Sequence, residues 1–250
     1  MRAPLCGRVW PYWIIKSYRG SLQVLTEAAN PRYWAEAGLG RALELKASQV
    51  ELEGGTTSRA NSLNSAVAQP SAVDLFDQAV QAFTNALRVY SQSPDWESGA
   101  KMDYGGALLQ EASRSTGKKA SDLSARAVQA YGRALEIMSG FHTVFATLVV
   151  PHGLALMLEG EWESGDKAIT LLDQAVQGFR TALGGITAAD QRGLWMATEY
   201  DLATALYQDG RRTSDQKAAA LFNQAIVADQ ELLKILDEDG PQNSGHRTED

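Results

Sequence analysis

The sequence predicts an all-α protein, an α-solenoid of stacked antiparallel helix pairs with about nine helices. One apolar phrase recurs at residues 79–87, 127–135 and 175–183, with a step of 48 residues, and a weaker copy begins at Ala225, 50 residues further on. Within each copy the large apolar residues fall at positions i, i+3 and i+7, which is one face of a helix. No stretch shows the alternating pattern of a β-strand.

A second phrase keeps the same step. It has the form small-x-Ala-Leu and occurs at residues 40–43, 105–108, 153–156 and 203–206. In the last three copies its leucine lies 20 residues before the Val or Ile of the next apolar phrase. Two independent phrases with one spacing indicate a repeat, in which first and second helices alternate along the chain.

In the first copy the interval is 37 residues, and the surplus falls in residues 54–72, which are rich in Gly, Ser, Thr and Asn. This composition predicts a loop insertion. Before the first pair, Ile15, Tyr18 and Leu22 keep the spacing of a second helix. We therefore expect an orphan second helix at 12–28, which is either an N-terminal cap or the sign of a fragment.

The periodicity divides the chain into an N-terminal extension at 1–11, one repeat domain at 12–236 and a tail at 237–250 that we expect to be disordered. The predicted helices are 12–28, 32–52, 73–91, 95–112, 120–138, 143–159, 167–184, 190–209 and 215–236. They group into pairs at 32–91, 95–138, 143–184 and 190–236. The glycines Gly117, Gly160 and Gly210 are expected in connections. Pro151 predicts that its helix starts nearby or kinks.

Each second helix has an aromatic residue at one repeat position, namely Phe83, Tyr131 and Phe179. We expect these three to be structural repeat residues in the core. In the last copy Asp229 stands at this position, and a charged residue there cannot lie under a following repeat without a partner. The expectation is a C-terminal cap with a polar outer face.

The form Ala-x-x-x-(Phe/Tyr)-x-x-Ala, at residues 127–134 and 175–182, resembles the second helix of a tetratricopeptide repeat. The pairs Leu39-Gly40 and Leu202-Ala203 are similar to the pair in that family's first helix. Residues 160–165, Gly-Glu-Trp-Glu-Ser-Gly, are similar to the connection of the long-repeat bacterial type. The resemblance implies a superhelix whose concave groove, lined by first helices, binds a peptide or helix of a partner protein.

If the chain follows the family, the groove residues flank the small residue of each first phrase. They are Arg41, Met102, Leu109, Val150, Leu154, Met157, Tyr200, Thr204 and Tyr207. This set, to which Glu44 and Gly106 also belong, is mostly apolar apart from Arg41 and Glu44, and it suits a partner with apolar anchors. The alternative is that longer helices bury some of these residues as core.

Composition excludes several classes of protein. The formal net charge of −7 argues against nucleic-acid binding, and no stretch approaches the apolar length of a membrane span. Cys6 is the single cysteine, so no intrachain disulfide can form, and the expected location is the cytoplasm. We expect no cofactor, no metal and no catalytic residue, since neither His142 nor His152 has a carboxylate at ligand spacing.

The sequence leaves three functions open. The first is a scaffold or adaptor for protein–protein interaction, with a partner of unknown identity. The second is a sensory or regulatory repeat fragment of a larger signalling protein. The third is an enzyme with a site between repeats, for which no cluster of titratable residues speaks. Apolar grooves and open repeat ends also favour self-association, so a homodimer is one expected assembly.

Overall fold

The computed structural model describes residues 6–24, 30–56, 70–89, 94–138 and 142–238. Within these ranges the chain forms nine α-helices and no β-strand, which confirms the predicted all-α fold class. The helices are α1 Cys6–Val24, α2 Asn30–Thr56, α3 Ala72–Val89, α4 Pro94–Ala112, α5 Gly117–Met138, α6 His142–Trp162, α7 Gly165–Leu183, α8 Arg192–Arg212 and α9 Asp215–Glu238. Their contacts divide the chain into two compact units, Met1–Met138 and Ser139–Asp250, where the sequence predicts one repeat domain.

In the first unit each helix packs against the next, from α1 to α5, and α2 also contacts α4. Glu97 at the start of α4 accepts a hydrogen bond from Arg133 near the end of α5, at 3.2 Å, so these two helices are antiparallel. Arg41 of α2 donates a hydrogen bond to Asp103 of α4, and Arg114, just after α4, donates one to Glu51 further along α2. Two contacts in the same order along both helices show that α2 and α4 are parallel. This is the stacking of an α-solenoid.

The second unit repeats the arrangement with α6 to α9, in which consecutive helices pack together and α6 contacts α8. Arg192 at the start of α8 donates to the carbonyl of Ile235 in α9, as expected for an antiparallel pair. Arg212 of α8 donates to the carbonyl of Glu161 in α6 at 3.1 Å, which fixes these two first helices parallel.

Close contact between a glycine and an aromatic ring sets the distance between the helices of a pair. Phe83, Tyr131 and Phe179 are buried, each against a glycine of the preceding helix. A Cβ atom added at Gly153 would lie 2.8 Å from the Phe179 ring, and one at Gly40 would lie 2.7 Å from Phe83. Any larger residue at these glycines would force the helices apart.

The last pair departs from this arrangement, because Ala203 and Asp229 stand where the other pairs have glycine and an aromatic residue. Asp229 is exposed, so its charge is solvated. The prediction of a polar outer face for α9 is wrong, since this helix also exposes Ile226, Val227, Leu233 and Leu236. In α3 and α7, which another helix follows, the residues equivalent to Ile226 are buried valines, and within the described residues no helix follows α9.

Two of the predicted connections lie inside helices. Gly160 and Gly210 belong to the ends of α6 and α8, where the next helix approaches so closely that a Cβ at Gly210 would lie 2.7 Å from Phe222. Gly117, which is also predicted in a connection, and Gly165 are the first residues of α5 and α7, and their φ angles of 58° and 61° are left-handed.

Two helix starts can be compared with the predictions. α6 begins at His142, beside the predicted start at 143, and continues through Pro151, so the proline does not mark a helix start. α1 begins at Cys6, inside the segment predicted as an extension. The predicted tail falls largely outside the described residues, as does most of the predicted insertion.

Candidate partner-binding surfaces

In the first unit the predicted groove residues Arg41, Met102 and Leu109 lie on α2 and α4. Arg41 is exposed and forms an ion pair with Asp103 at 2.5 Å. Met102 and Leu109 are half-buried. The aspartate is absent from the predicted set, and its pairing with Arg41 gives this part of the surface a polar character.

Further polar groups surround this ion pair. Glu44 is half-buried and accepts a hydrogen bond from Gln110 at 3.5 Å. Burial, together with the negative charge of Asp103, raises the pKa of Glu44 to about 7, although Arg41 opposes the shift. Burial and the same two carboxyls raise the pKa of Tyr131. Around Arg41 and Glu44, the two charged residues of the predicted groove, the first unit therefore contains a titratable cluster.

In the second unit the predicted residues of α8 reach the surface. Tyr200 is 60% exposed and Tyr207 is 52% exposed, and Thr204 between them is half-buried. Their spacing of i, i+4 and i+7 places all three on one face of the helix. Two large aromatic side chains at this exposure form an apolar patch that the core does not use.

On the neighbouring α6, Leu154 and Met157 are half-buried. Because α6 and α8 are in contact and parallel, the 50-residue repeat step brings Leu154 to the level of Thr204 and Met157 to the level of Tyr207. We call these five residues, Leu154, Met157, Tyr200, Thr204 and Tyr207, the α6/α8 surface. Val150 is buried and does not belong to it.

Neighbouring side chains orient Tyr207. Its ring centre lies 5.8 Å from that of Phe222 in α9, and the guanidinium of Arg211 lies 5.9 Å from the ring centre. Both contacts are in the range of favourable aromatic and cation–π interactions. They favour the observed orientation of the Tyr207 side chain.

Three contacts between a buried acid and a more exposed lysine are absent from the sequence-based prediction. Glu111 lies 2.9 Å from Lys119, Glu159 lies 3.1 Å from Lys167, and Asp209 lies 4.0 Å from Lys217. The three acids are buried. A lysine eight residues after an acid, repeated at the same step, is the signal in the sequence that identifies these contacts.

Two of these acids also meet a second carboxyl. Burial, followed by a hydrogen bond with Asp77 of α3, raises the pKa of Glu111 to about 7, and the same bond lowers the pKa of Asp77. Burial and the charge of Asp173 in α7 raise the pKa of Asp209. Asp77, Glu111 and Lys119 lie on three consecutive helices of the first unit, and Asp173, Asp209 and Lys217 lie on three consecutive helices of the second. We therefore interpret both clusters as contacts that stabilise the packing of these helices.

A metal ion requires several ligating side chains placed close together. Among the described side chains, no group of three His, Cys, Asp or Glu residues is placed to hold a metal ion. Burial lowers the pKa of His152. The side chains of Cys6 and His142 and all of His246 lie outside the described part. Over the described residues, we find no helix with the length and apolar character that a membrane span requires.

Comparisons with known proteins found no matching family model and no matching curated sequence. The solved structures that are similar to the chain include two that cover more than 90% of it. The crystal structure of MamA has 16% sequence identity and a TM-score of 0.43, and the match covers 94% of this chain and 99% of that one. A computationally designed self-assembling cyclic homooligomer has 13% identity and a TM-score of 0.36, with 92% and 94% covered. The all-helical chain is compatible with TPR-like repeats.

Proposed function

We propose that this chain is a non-catalytic scaffold for protein–protein interaction, located in the cytoplasm, which binds a peptide or helix of a partner protein. The observation that best supports the proposal is the α6/α8 surface, where Tyr200 and Tyr207 are exposed on one helix face. A stack of helix pairs supplies the rigid support that such a surface needs.

The residue types of this surface suit an apolar partner segment. Tyrosine offers a large, rigid contact area with a polar tip, and it is frequent among the residues that dominate binding energy. Met157 is flexible and fits side chains of different shape. An amphipathic helix or an extended segment with apolar side chains at regular spacing would cover both Tyr200 and Tyr207.

Affinity capture from native lysate tests the proposal. The bait is the full chain, compared with Tyr207→Glu, with Met157→Glu and with Val73→Glu, an exposed apolar position on α3 of the first unit. Circular dichroism first checks that each variant is folded. We expect the two α6/α8 variants to lose partners that the wild type and Val73→Glu retain. Recovery of the same partners by all four baits contradicts the assigned surface.

A further inference from the structure

A pocket of about 370 Å³ opens between α7, α8 and α9 in the second unit. Its base consists of the buried residues Leu202, Leu206 and Ala228, and the exposed Val227 forms part of its wall. The volume falls within the range of small-ligand pockets. An apolar base in an open pocket is suited to one large apolar side chain that enters from solvent.

The charged residues that line the pocket are the two glutamates Glu199 and Glu231 and one arginine, Arg180, so acidic groups outnumber basic ones. Burial together with the charge of Glu231 raises the pKa of Glu199. Lys234 pairs with Glu231 at 2.5 Å, and Arg180, which also lines the pocket, donates a hydrogen bond to Gln224. Among the described residues, the Glu199 carboxyl therefore has no basic group of its own.

The equivalent place in the first unit differs in both shape and charge. Tyr104 stands where the second unit has Leu202, and its hydroxyl accepts a hydrogen bond from Arg126 at 2.5 Å. The same guanidinium lies 5.7 Å from the centre of the Tyr104 ring. Lys101 and Arg133 stand at the positions of Glu199 and Glu231. The acidic pocket is thus a property of the second unit and not of the repeat.

We propose that this pocket binds a segment of another protein in which a basic residue lies next to a large apolar residue. The apolar side chain covers Leu202 and Leu206, and the cation lies at the rim beside Glu199, where it offsets the repulsion from Glu231. The second unit, residues 139–250, has 17 acidic and 8 basic residues, so its field also attracts a basic segment.

This binding site is separate from the α6/α8 surface. Glu199, Leu202 and Leu206 follow one face of α8, and Tyr200 and Tyr207 follow another. Failure of either proposal therefore leaves the other intact, and variants of the two faces distinguish them.

The test titrates the full chain into a fluorescein-labelled, blocked heptapeptide, Gly-Ser-Arg-Leu-Arg-Ser-Gly, and measures fluorescence anisotropy. Two comparison peptides carry Glu in place of both Arg residues or Ala in place of Leu. We expect the wild-type chain to bind the basic peptide at least about tenfold more tightly than either comparison peptide. Overturning results are equal binding of all three peptides or no saturable binding of the basic one.

Matched variants locate the site on the protein. Glu199→Lys and Glu231→Arg introduce the residues of the first unit, and each should weaken binding at least about fivefold. Glu161→Lys makes the same charge change at an exposed position of α6, and Tyr207→Glu alters the other face. Both of these should bind as the wild type does. Equal weakening by Glu161→Lys, or loss of binding in Tyr207→Glu, overturns the assignment.

A second copy of the chain is the competing occupant. Sedimentation equilibrium of the wild type, Glu199→Lys and Glu161→Lys decides between the two. A monomeric wild type supports the proposal. A dimer that Glu199→Lys alone dissociates overturns it, because the pocket is then filled by another copy of this chain.

Discussion

The two units are built from the same repeat and carry opposite charge. Residues 1–138 include 15 basic and 13 acidic residues, whereas residues 139–250 include 8 basic and 17 acidic ones. The reversal extends to equivalent positions, such as Lys101 and Glu199 on the first helices. In both units the glycine–aromatic contact between paired helices is retained, at Gly105 with Tyr131 and at Gly153 with Phe179. Packing constrains buried positions strongly, whereas exposed positions are free to acquire different partners.

The largest expected effect concerns the buried aromatic position that the units share. Phe179→Ala removes a fully buried ring, so the free energy of unfolding should fall by about 3–5 kcal/mol, and Tyr131→Ala should cost a similar amount. Asp229→Ala, at the same repeat position but exposed, should change it by less than about 0.5 kcal/mol. Urea unfolding followed by circular dichroism measures all three, and equal losses would show that position 229 is buried.

The pH dependence of stability should differ between the units. Burial raises the pKa of Glu44 and Glu111 in the first unit to about 7, and that of Asp201 in the second to about 6. The protonated forms are favoured in the folded state, so stability is greatest below the unfolded pKa and falls as pH rises through the folded pKa. In the first unit we expect the free energy of unfolding to fall by about 1–3 kcal/mol between pH 5 and 8. In the second unit the corresponding fall should be complete at a lower pH.

Hydrogen exchange, followed separately for α2–α5 and α6–α9 at pH values from 5 to 8, distinguishes these profiles. Glu44→Gln mimics the protonated acid and should reduce the slope of the first unit's profile to the contribution of Glu111, without changing the second unit. Glu161→Gln, at an exposed position, should leave both profiles unchanged. A profile that Glu44→Gln does not alter contradicts the assignment of this carboxyl.

The close approach of paired helices predicts a position-dependent response to added methyl groups. Gly153→Ala places a Cβ 2.8 Å from the Phe179 ring, and the overpacking should cost about 1–2 kcal/mol after the gain in helix propensity. Gly99→Ala on α4 meets no atom within 4 Å and should instead raise stability by up to about 1 kcal/mol. Thermal unfolding gives both shifts. A stabilising Gly153→Ala would show that the helices move apart freely.

The smallest effect concerns the exposed face where the units diverge. Tyr104→Leu introduces the residue of the second unit into the first and removes the contact with Arg126. The expected cost is about 0.5–1 kcal/mol, from one hydrogen bond and one cation–π contact. Tyr104→Phe retains the ring and separates the two contributions in urea unfolding. A larger loss than in Phe179→Ala would contradict the view that this face is weakly constrained.

Helix pairing could be predicted from residues because it depends on spacing. Tyr131 and Phe179 are 48 residues apart, and the small-x-Ala-Leu motif recurs with the same spacing. This shared spacing is sufficient to predict stacked helix pairs. Helix ends were less accurate, as at Gly160 and Gly210, since glycine serves equally in a turn and in a close helix contact.

The exposure of the proposed binding residues could be predicted only in part. Tyr200 and Tyr207 are exposed as a surface role requires, whereas Val150 is buried and Asp103 gives the first unit a polar cluster. The exposure of a residue depends on how much of its helix face the neighbouring helices cover. The repeat spacing carries no information about that covered area. The acid–lysine contacts were missed because each joins residues whose proximity depends on the turn between helices.

The sequence by itself determined the all-α class, the pairing of helices and the repeat positions of the aromatic residues, because a fixed apolar spacing has one efficient way to be buried. Only the tertiary structure decided which faces of α8 and α9 remain open, and which carboxyls are withdrawn from water. Those outcomes depend on the contacts of neighbouring helices, as at Glu111, where the packing of α3 and α5 changes the chemistry of a side chain that the sequence alone presents as an ordinary glutamate.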